Sequence, residues 1–451
     1  MEHLQRRLTL LDTTLLVVGG IIGTGVFFNS SNVAQRVHTP SLILIAWLIG
    51  GAIALIGALS YAELGAMMPQ VGGEYAFLRE GLHPLIGFLY GWTLLLVIST
   101  GAIAAVTMKF AETLAVLVPV LNTPLRVKLT GLAALWGLAG VNYFGVKPGA
   151  MVQNVFTGGK LIALACLIVL GFTTRLPSHL ALHPLLAGGY EGNLVIAMGA
   201  ALAPVLFAYG GWQNSTYTAG EIIDPQKTVP RASIIGIAIV IFVYLAANIA
   251  YLQVLPADAI RKTETLATDA ARLMMGNFGA QFISIAIVIS TFGFIDMTML
   301  TSPRVFYAMA RDGLLFGPAA YIHPKYKTPT VVLAFYTLVT SGMMLAGSYG
   351  TLLSYATFGD WIFFGSTVLA LFTLRHKYPN LPRPYKVWGY PVLPALFVVV
   401  AYTFVVIVFI ANQPQTSYGL ALILAGIPLY FLFRRLNARK ETQARSQESG
   451  G

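Results

Sequence analysis

Long uncharged apolar runs alternate with short polar and basic segments along this chain. A run of about 20 apolar residues is what a helix needs to cross the hydrocarbon core of a bilayer. Hydropathy gives twelve candidate spans, at roughly 12–34, 41–68, 85–112, 128–145, 151–173, 194–219, 232–255, 281–310, 329–347, 351–374, 391–412 and 417–434. The pattern predicts an all-α integral membrane protein. Two spans are interrupted. The first carries four glycines in Gly19-Gly20-Ile21-Ile22-Gly23-Thr24-Gly25-Val26-Phe27, and the sixth carries Phe207-Ala208-Tyr209-Gly210-Gly211-Trp212. Glycine costs a helix about 1 kcal/mol per residue against alanine, so both helices are expected to break there. Broken backbone at that depth is tolerated only where it lines a cavity or is buried in protein. A matched pair of Gly-interrupted segments is a sequence pointer to a carrier's binding site.

The interruptions lie five spans apart. Two inverted five-helix repeats would give that offset, with two helices left over. The expected organisation is an N-terminal segment at 1–11, a first repeat at 12–173, a second at 194–374, and helices eleven and twelve at 391–434. A polar tail at 435–451 is expected to be disordered.

Composition fits this reading. Charged residues make up 10% of the chain, against roughly 25% in soluble domains. The net charge of +11 would suit a nucleic-acid binder, but its distribution is topological. Twelve spans put both termini on one side. Of the 28 Lys and Arg residues, Lys109, Lys160 and Arg304 fall within spans. Arg36, Arg126, Lys128, Arg175, Arg261, Lys262 and Arg272 lie opposite the termini, which leaves 18 on the side of the termini against those seven. The bias places both termini in the cytoplasm and removes the case for nucleic acid. The single cysteine, Cys166, excludes an internal disulfide and reads as a packing residue. No small-residue cleavage site follows the first apolar run, so no cleavable signal is expected. The seven histidines lie mostly in loops, and none pairs at metal-ligand spacing. With no nucleophile elbow or phosphate loop either, neither a cofactor nor a membrane-embedded enzyme is indicated. No ring-forming filter suggests a channel.

Five motifs carry a resemblance. They are Gly19 to Phe27; Tyr61-Ala62-Glu63-Leu64 with Pro69-Gln70-Val71-Gly72-Gly73-Glu74-Tyr75; Phe207 to Trp212; Pro303-Arg304-Val305-Phe306-Tyr307-Ala308-Met309-Ala310-Arg311-Asp312-Gly313; and Arg375-His376-Lys377-Tyr378-Pro379 with Arg383-Pro384-Tyr385-Lys386. In this order and in these spans, the chain resembles the amino acid–polyamine–organocation transporters. Within them it is similar to the L-type light-subunit branch and its bacterial relatives. The resemblance implies the five-plus-five inverted repeat of sodium-coupled neurotransmitter transporters, with helices one and six discontinuous. It implies transport of L-α-amino acids by exchange or proton symport.

An α-amino acid carries a carboxylate and an ammonium, and the two breaks offer partners for both. The N–H groups of Gly23, Thr24 and Gly25 open a half-helix whose positive dipole end favours an anion. The carbonyls of Gly20, Ile21, Phe207, Ala208 and Gly210 would accept from the ammonium. The resemblance assigns the same roles to these positions. It makes Phe207 the gating aromatic. Gly210 stands where cationic-substrate members carry an acid, which argues for neutral substrates. Gly19 and Gly23 also fit a small-residue packing face. Trp212 and Gln213 stand in for the tryptophan–asparagine pair of many eukaryotic members.

Lys160 is a lysine deep in span five, where a charge costs a few kcal/mol. It matches the helix-five lysine that replaces a sodium ion in the family. Its expected partners are a carbonyl near Gly19 and the hydroxyls of Ser290 and Thr291. Sodium independence follows from this. Asp360, beside Trp361, stands where L-type members have asparagine near the side-chain pocket, so polar or cationic amino acids or polyamines are the alternative substrates. Asp296 is expected to pair with Arg304 or a helix end. Val97 and Ile98 would face the substrate side chain. The loop from Val118 to Arg126 lacks the cysteine that joins eukaryotic L-type members to a heavy chain. A protein that works as a monomer in a prokaryotic inner membrane is expected.

Overall fold

The computed structural model of the chain describes residues 4–180, 182, 193–346 and 349–448. Among these residues the chain is helical, with a single isolated bridge between Leu8 and Ile222. Nine helices among the described residues are long and apolar enough to cross a membrane. The shorter apolar helices Leu194–Ala208 and Thr330–Ala346, together with Pro124–Tyr143, stand at the other expected positions.

The first apolar segment folds as two helices, Leu10–Ile21 and Gly25–Ala34. Thr9 caps the first, with Asp12 closing the box: Thr9 N–H donates to Asp12 Oδ2 at 2.8 Å. Asp12 also accepts from Lys147 Nζ and Asn154 Nδ2, each at 2.7 Å. This fixes the start of the broken helix against Val146–Thr173. The sixth segment follows the same plan. Leu194–Ala208 stops, Tyr209 to Gly211 turn, and a short helix Asn214–Tyr217 resumes. Gly211 has φ +119°, a left-handed conformation that favours glycine.

The two breaks cross backbone to backbone. A Cβ on Gly211 would lie 2.3 Å from the Gly20 carbonyl oxygen, and one on Gly20 would lie 2.9 Å from the Gly211 carbonyl oxygen. No side chain fits between them, so glycine here sets the approach of two elements about 190 residues apart in sequence. Around this crossing, Pro225–Val254 packs on both Leu10–Ile21 and Pro40–Met67, while Asn277–Arg311 packs on Val146–Thr173. One apolar cluster, with Trp47, Tyr209, Trp212 and Trp361, surrounds the breaks on one side. Another, with Tyr90, Tyr217, Phe306 and Tyr336, closes the other.

One expectation is corrected here, and one element runs further than expected. The last helix extends from Gly426 to Glu448, into the segment 435–451. Its Ala, Arg, Lys, Glu and Gln residues are strong helix formers, and they extend a helix already nucleated by the apolar run. Cys166 is exposed rather than packed, because it sits on the outward face of Val146–Thr173.

Candidate functional site

The breaks open onto one cavity, enclosing about 890 Å³ with the space open to solvent included. Gly20, Ile21, Gly23, Thr24 and Gly25 line it from the first broken helix. Phe207, Ala208 and Gly210 line it from the second, and Ile98 and Asp360 complete the expected set.

The backbone chemistry at the breaks is narrower than the sequence suggests. Gly23 N–H turns back to the Ile21 carbonyl at 2.9 Å, so it is engaged in the turn that ends the first half-helix. Gly25 and Val26 open the next helix, at positions where backbone N–H groups have no intrahelical acceptor. The positive end of that helix faces the cavity. On the acceptor side, Ile21 O takes both Gly23 N–H and the Tyr244 hydroxyl, the latter at 2.9 Å. Ala208 O accepts from the same hydroxyl at 3.0 Å, and Phe207 O accepts from Gly210 N–H at 3.1 Å. Of the five expected acceptors, Gly20 and Gly210 are the carbonyls not already engaged among the described residues.

Behind the cavity, Lys160 is fully buried midway along Val146–Thr173, whose start lies earlier than hydropathy suggests. Its ammonium donates to Gly19 O at 3.1 Å and Ile22 O at 2.7 Å. These carbonyls end the first half-helix, so the cation sits at its negative pole. Ser290 Oγ donates to Ile22 O at 3.4 Å and Gly23 O at 3.1 Å. It therefore shares the Ile22 carbonyl with Lys160 instead of accepting from it. Thr291 takes no part: its hydroxyl returns to its own helix at Ile287 O, 2.7 Å away. Gly19 is packed on Gln153 and Thr157, where a Cβ would come within 2.0 Å of Gln153 Nε2.

Two other expectations shift. Val97 is buried outside the lining, which draws instead on Leu94, Ile98 and Ala102. These share one face at a spacing of four, and the π-helical stretch Leu94–Ile98 sets that phase. Asp296 pairs with neither Arg304 nor a helix end. Its Oδ1 accepts from Asn142 Nδ2 at 2.8 Å. Arg304 instead forms a buried ion pair with Glu221, at 2.7 and 3.2 Å. Asp360 faces the cavity, and its Oδ1 is shut off from solvent with no hydrogen-bond partner among the described residues. Gln213 Oε1, in the same wall, is equally unpartnered.

Sequence reasoning passed over Ser99, Ser302 and Tyr217, which also line the cavity. Ser99 Oγ bonds Ser302 Oγ at 2.7 Å and also meets the Tyr336 hydroxyl. A hydroxyl on an apolar helix carries no local mark of its partner, so only the fold shows this trio.

The amino acid permease family matches residues 8–433 of the chain. The chain belongs to this family. The permease is 35% identical to the large neutral amino acids transporter small subunit 2 of Mus musculus, over 95% of this chain and 81% of that one. It is 32% identical to the Asc-type amino acid transporter 1 of Mus musculus, over 95% and 81% of the two chains. It is 31% identical to the b(0,+)-type amino acid transporter 1 of the same organism, over 95% and 88%. The relatives are transporters rather than enzymes, and the permease is a multi-pass membrane protein of that kind.

Proposed function

We propose that this permease is a sodium-independent secondary carrier of neutral L-α-amino acids, working by alternating access as an exchanger or proton symporter. The observation that carries this reading is the crossing of two broken helices at Gly20 and Gly211, which line one cavity together with the N-terminus of the helix Gly25–Ala34. The carboxylate is held at Gly25 and the adjoining turn, and the ammonium at Gly20 O and Gly210 O. Phe207 gates the cavity. Lys160 fills the place of a sodium ion by holding Gly19 and Ile22, which supports sodium independence. Twelve crossings in two inverted five-helix repeats, with cytoplasmic termini, fit the helix positions and the charge bias. The loop from Val118 to Arg126 has no cysteine, which supports a monomer without a disulfide-linked chain, in a prokaryotic inner membrane.

A second reading, polar or cationic substrates, is favoured by the unpartnered acceptors of Asp360 and Gln213. Counterflow in proteoliposomes with a panel of neutral, hydroxylated and cationic amino acids separates the two. Neutral substrates are expected to exchange equally with and without sodium. No substrate-dependent flux, with or without internal amino acid, refutes the carrier reading.

A further inference from the structure

Glu74 lies outside the cavity, and no part of the binding chemistry above uses it. It opens the short helix Glu74–Gly81 and is completely buried. Its Oε1 accepts from the Tyr61 hydroxyl at 2.6 Å and from Thr367 Oγ1 at 2.9 Å. Its Oε2 is buried with no partner meeting hydrogen-bond geometry among the described residues. A carboxyl in this setting asks for a proton. Burial pushes it up to about 7.

The surroundings of Glu74 lead to the cavity. The hydroxyls of Tyr90 and Tyr217 are its next polar neighbours, and these two hydroxyls are hydrogen-bonded to each other. Asp360 lies two helical turns from Thr367 on the same face, about 10 Å along the helix, and lines the cavity together with Tyr217. Each acid thus has an unpartnered oxygen, and the two bonded phenols lead from the surroundings of Glu74 to the cavity wall that holds Asp360. Other charged groups nearby are taken up elsewhere. Arg375 binds Glu63 at 2.8 and 2.6 Å, and Asp312 is held by Tyr75 and Arg79.

The same loop touches the second broken helix. Gly72 N–H donates to Tyr217 O at 3.3 Å, and a Cβ on Gly73 would lie 2.5 Å from Thr216 Oγ1. Motion of the half-helix Asn214–Tyr217 therefore displaces both Tyr217 and the loop that carries Glu74.

We propose that Glu74 and Asp360 are a proton-carrying carboxyl pair, connected by the Tyr217–Tyr90 hydroxyls, that links movement of substrate to movement of a proton. When motion of the half-helix Asn214–Tyr217 closes Asp360 on Tyr217 and Tyr90 on Glu74, the proton leaves the Asp360 carboxyl for the Tyr217 oxygen as Tyr217 passes its own proton to Tyr90 and Tyr90 passes its own to Glu74. Both phenols end neutral, Asp360 ends charged and Glu74 ends protonated. Glu74 then releases the proton on its own side of the cavity. This rests on the carrier reading and selects proton symport within it.

The test uses the full-length protein in proteoliposomes, with labelled L-alanine and L-leucine as probes and a pH-sensitive dye inside. The wild type is expected to take up substrate several-fold faster with acid outside than with both sides at equal alkaline pH, and to acidify the interior. Glu74→Gln is expected to bring that ratio to about one and to abolish the dye signal, while Glu74→Asp restores part of both. Tyr90→Phe keeps both carboxyls and the ring but removes the hydroxyl link, and is expected to reduce the dye signal. A wild type with substrate uptake but a flat pH ratio overturns the pair and leaves the carrier intact. A Glu74→Gln variant with the wild-type ratio and dye signal also overturns it. A wild type without uptake of either probe overturns the carrier reading, and the pair with it.

Discussion

Replacing Lys160 with methionine keeps an unbranched side chain one atom shorter and removes the charged donor at its end. In the wild type the ammonium holds Gly19 O and Ile22 O, and charge-assisted bonds of this kind contribute about 1.5–3 kcal/mol each. Gly19 O would ordinarily accept from the N–H four residues on, but Gly23 N–H has gone to Ile21 O. The methionine variant therefore leaves Gly19 O buried without a donor, at a cost of about 1–3 kcal/mol. Among the described residues Ile22 O then keeps only Ser290, at 3.4 Å. The broken conformation loses about 3–5 kcal/mol in all, set against a few kcal/mol regained by no longer burying a charge. Global stability changes much less than the break does. A loss of about 3 kcal/mol at the break lowers the population of the competent geometry by about 100-fold, at about 1.4 kcal/mol per factor of ten. Uptake by Lys160→Met in proteoliposomes is expected to fall at least about tenfold, while the melting temperature in detergent stays close to wild type. Wild-type uptake across the whole pH range would refute the tether. So would loss of uptake that merely follows loss of the folded protein.

At the crossing, Gly211→Ala places a methyl 2.3 Å from Gly20 O at a left-handed φ. It is expected to abolish uptake and to lower the melting temperature, and a fully active variant would show that the breaks do not need this approach. Gly23→Ala meets nothing within 4 Å among the described residues. It should fold normally yet raise the half-saturation concentration for uptake, because its methyl enters the cavity beside the helix N-terminus. Arg304→Met leaves Glu221 charged and buried, which costs about 3–5 kcal/mol. The double variant with Glu221→Gln should recover most of the lost melting temperature, and no recovery would mean the pair is not what was lost. Glu74 gives a pH slope of defined sign. Its carboxyl is raised from 4.5 to about 7, so the folded protein holds that proton more tightly than the unfolded chain does. The resulting stability, roughly 3 kcal/mol, is full below the unfolded value and is lost as pH rises through about 7. Thermal unfolding across this window should show the decline, and Glu74→Gln should flatten it; a rise in stability over the same window contradicts the assignment.

The breaks were legible because glycine is the only residue that lets two backbones meet, and four glycines in an apolar run have few other uses. Lys160 was legible for a related reason: an isolated charge in such a run needs carbonyls, and a broken helix supplies them. What stayed hidden was pairing at long range. The ion pair of Arg304 with Glu221 spans 83 positions, and the bond of Asn142 to Asp296 spans 154. Neither residue in either pair carries a local mark of the other. Helix phase was the other source of error. Val97 and Ile98 are neighbours in sequence but lie about 100° apart on a helix, and the π-helical stretch decides which of them reaches the cavity. Glu74 was visible within its motif, but its importance appears only once Thr367, Tyr90 and Tyr217 are seen around it.

Tyr244 stands on a helix that belongs to neither broken segment, and its hydroxyl lies 2.9 Å from Ile21 O and 3.0 Å from Ala208 O. The phenol hydroxyl carries a single hydrogen. It cannot give a full-strength bond to both carbonyls at once, so the two breaks compete for it on nearly equal terms. When one half of the crossing draws away, the hydrogen passes wholly to the other, and the departing helix loses little because it held only a share of that bond. The joint between the two broken helices is thus a clutch rather than a weld. It keeps them in register at rest and releases either one at small cost.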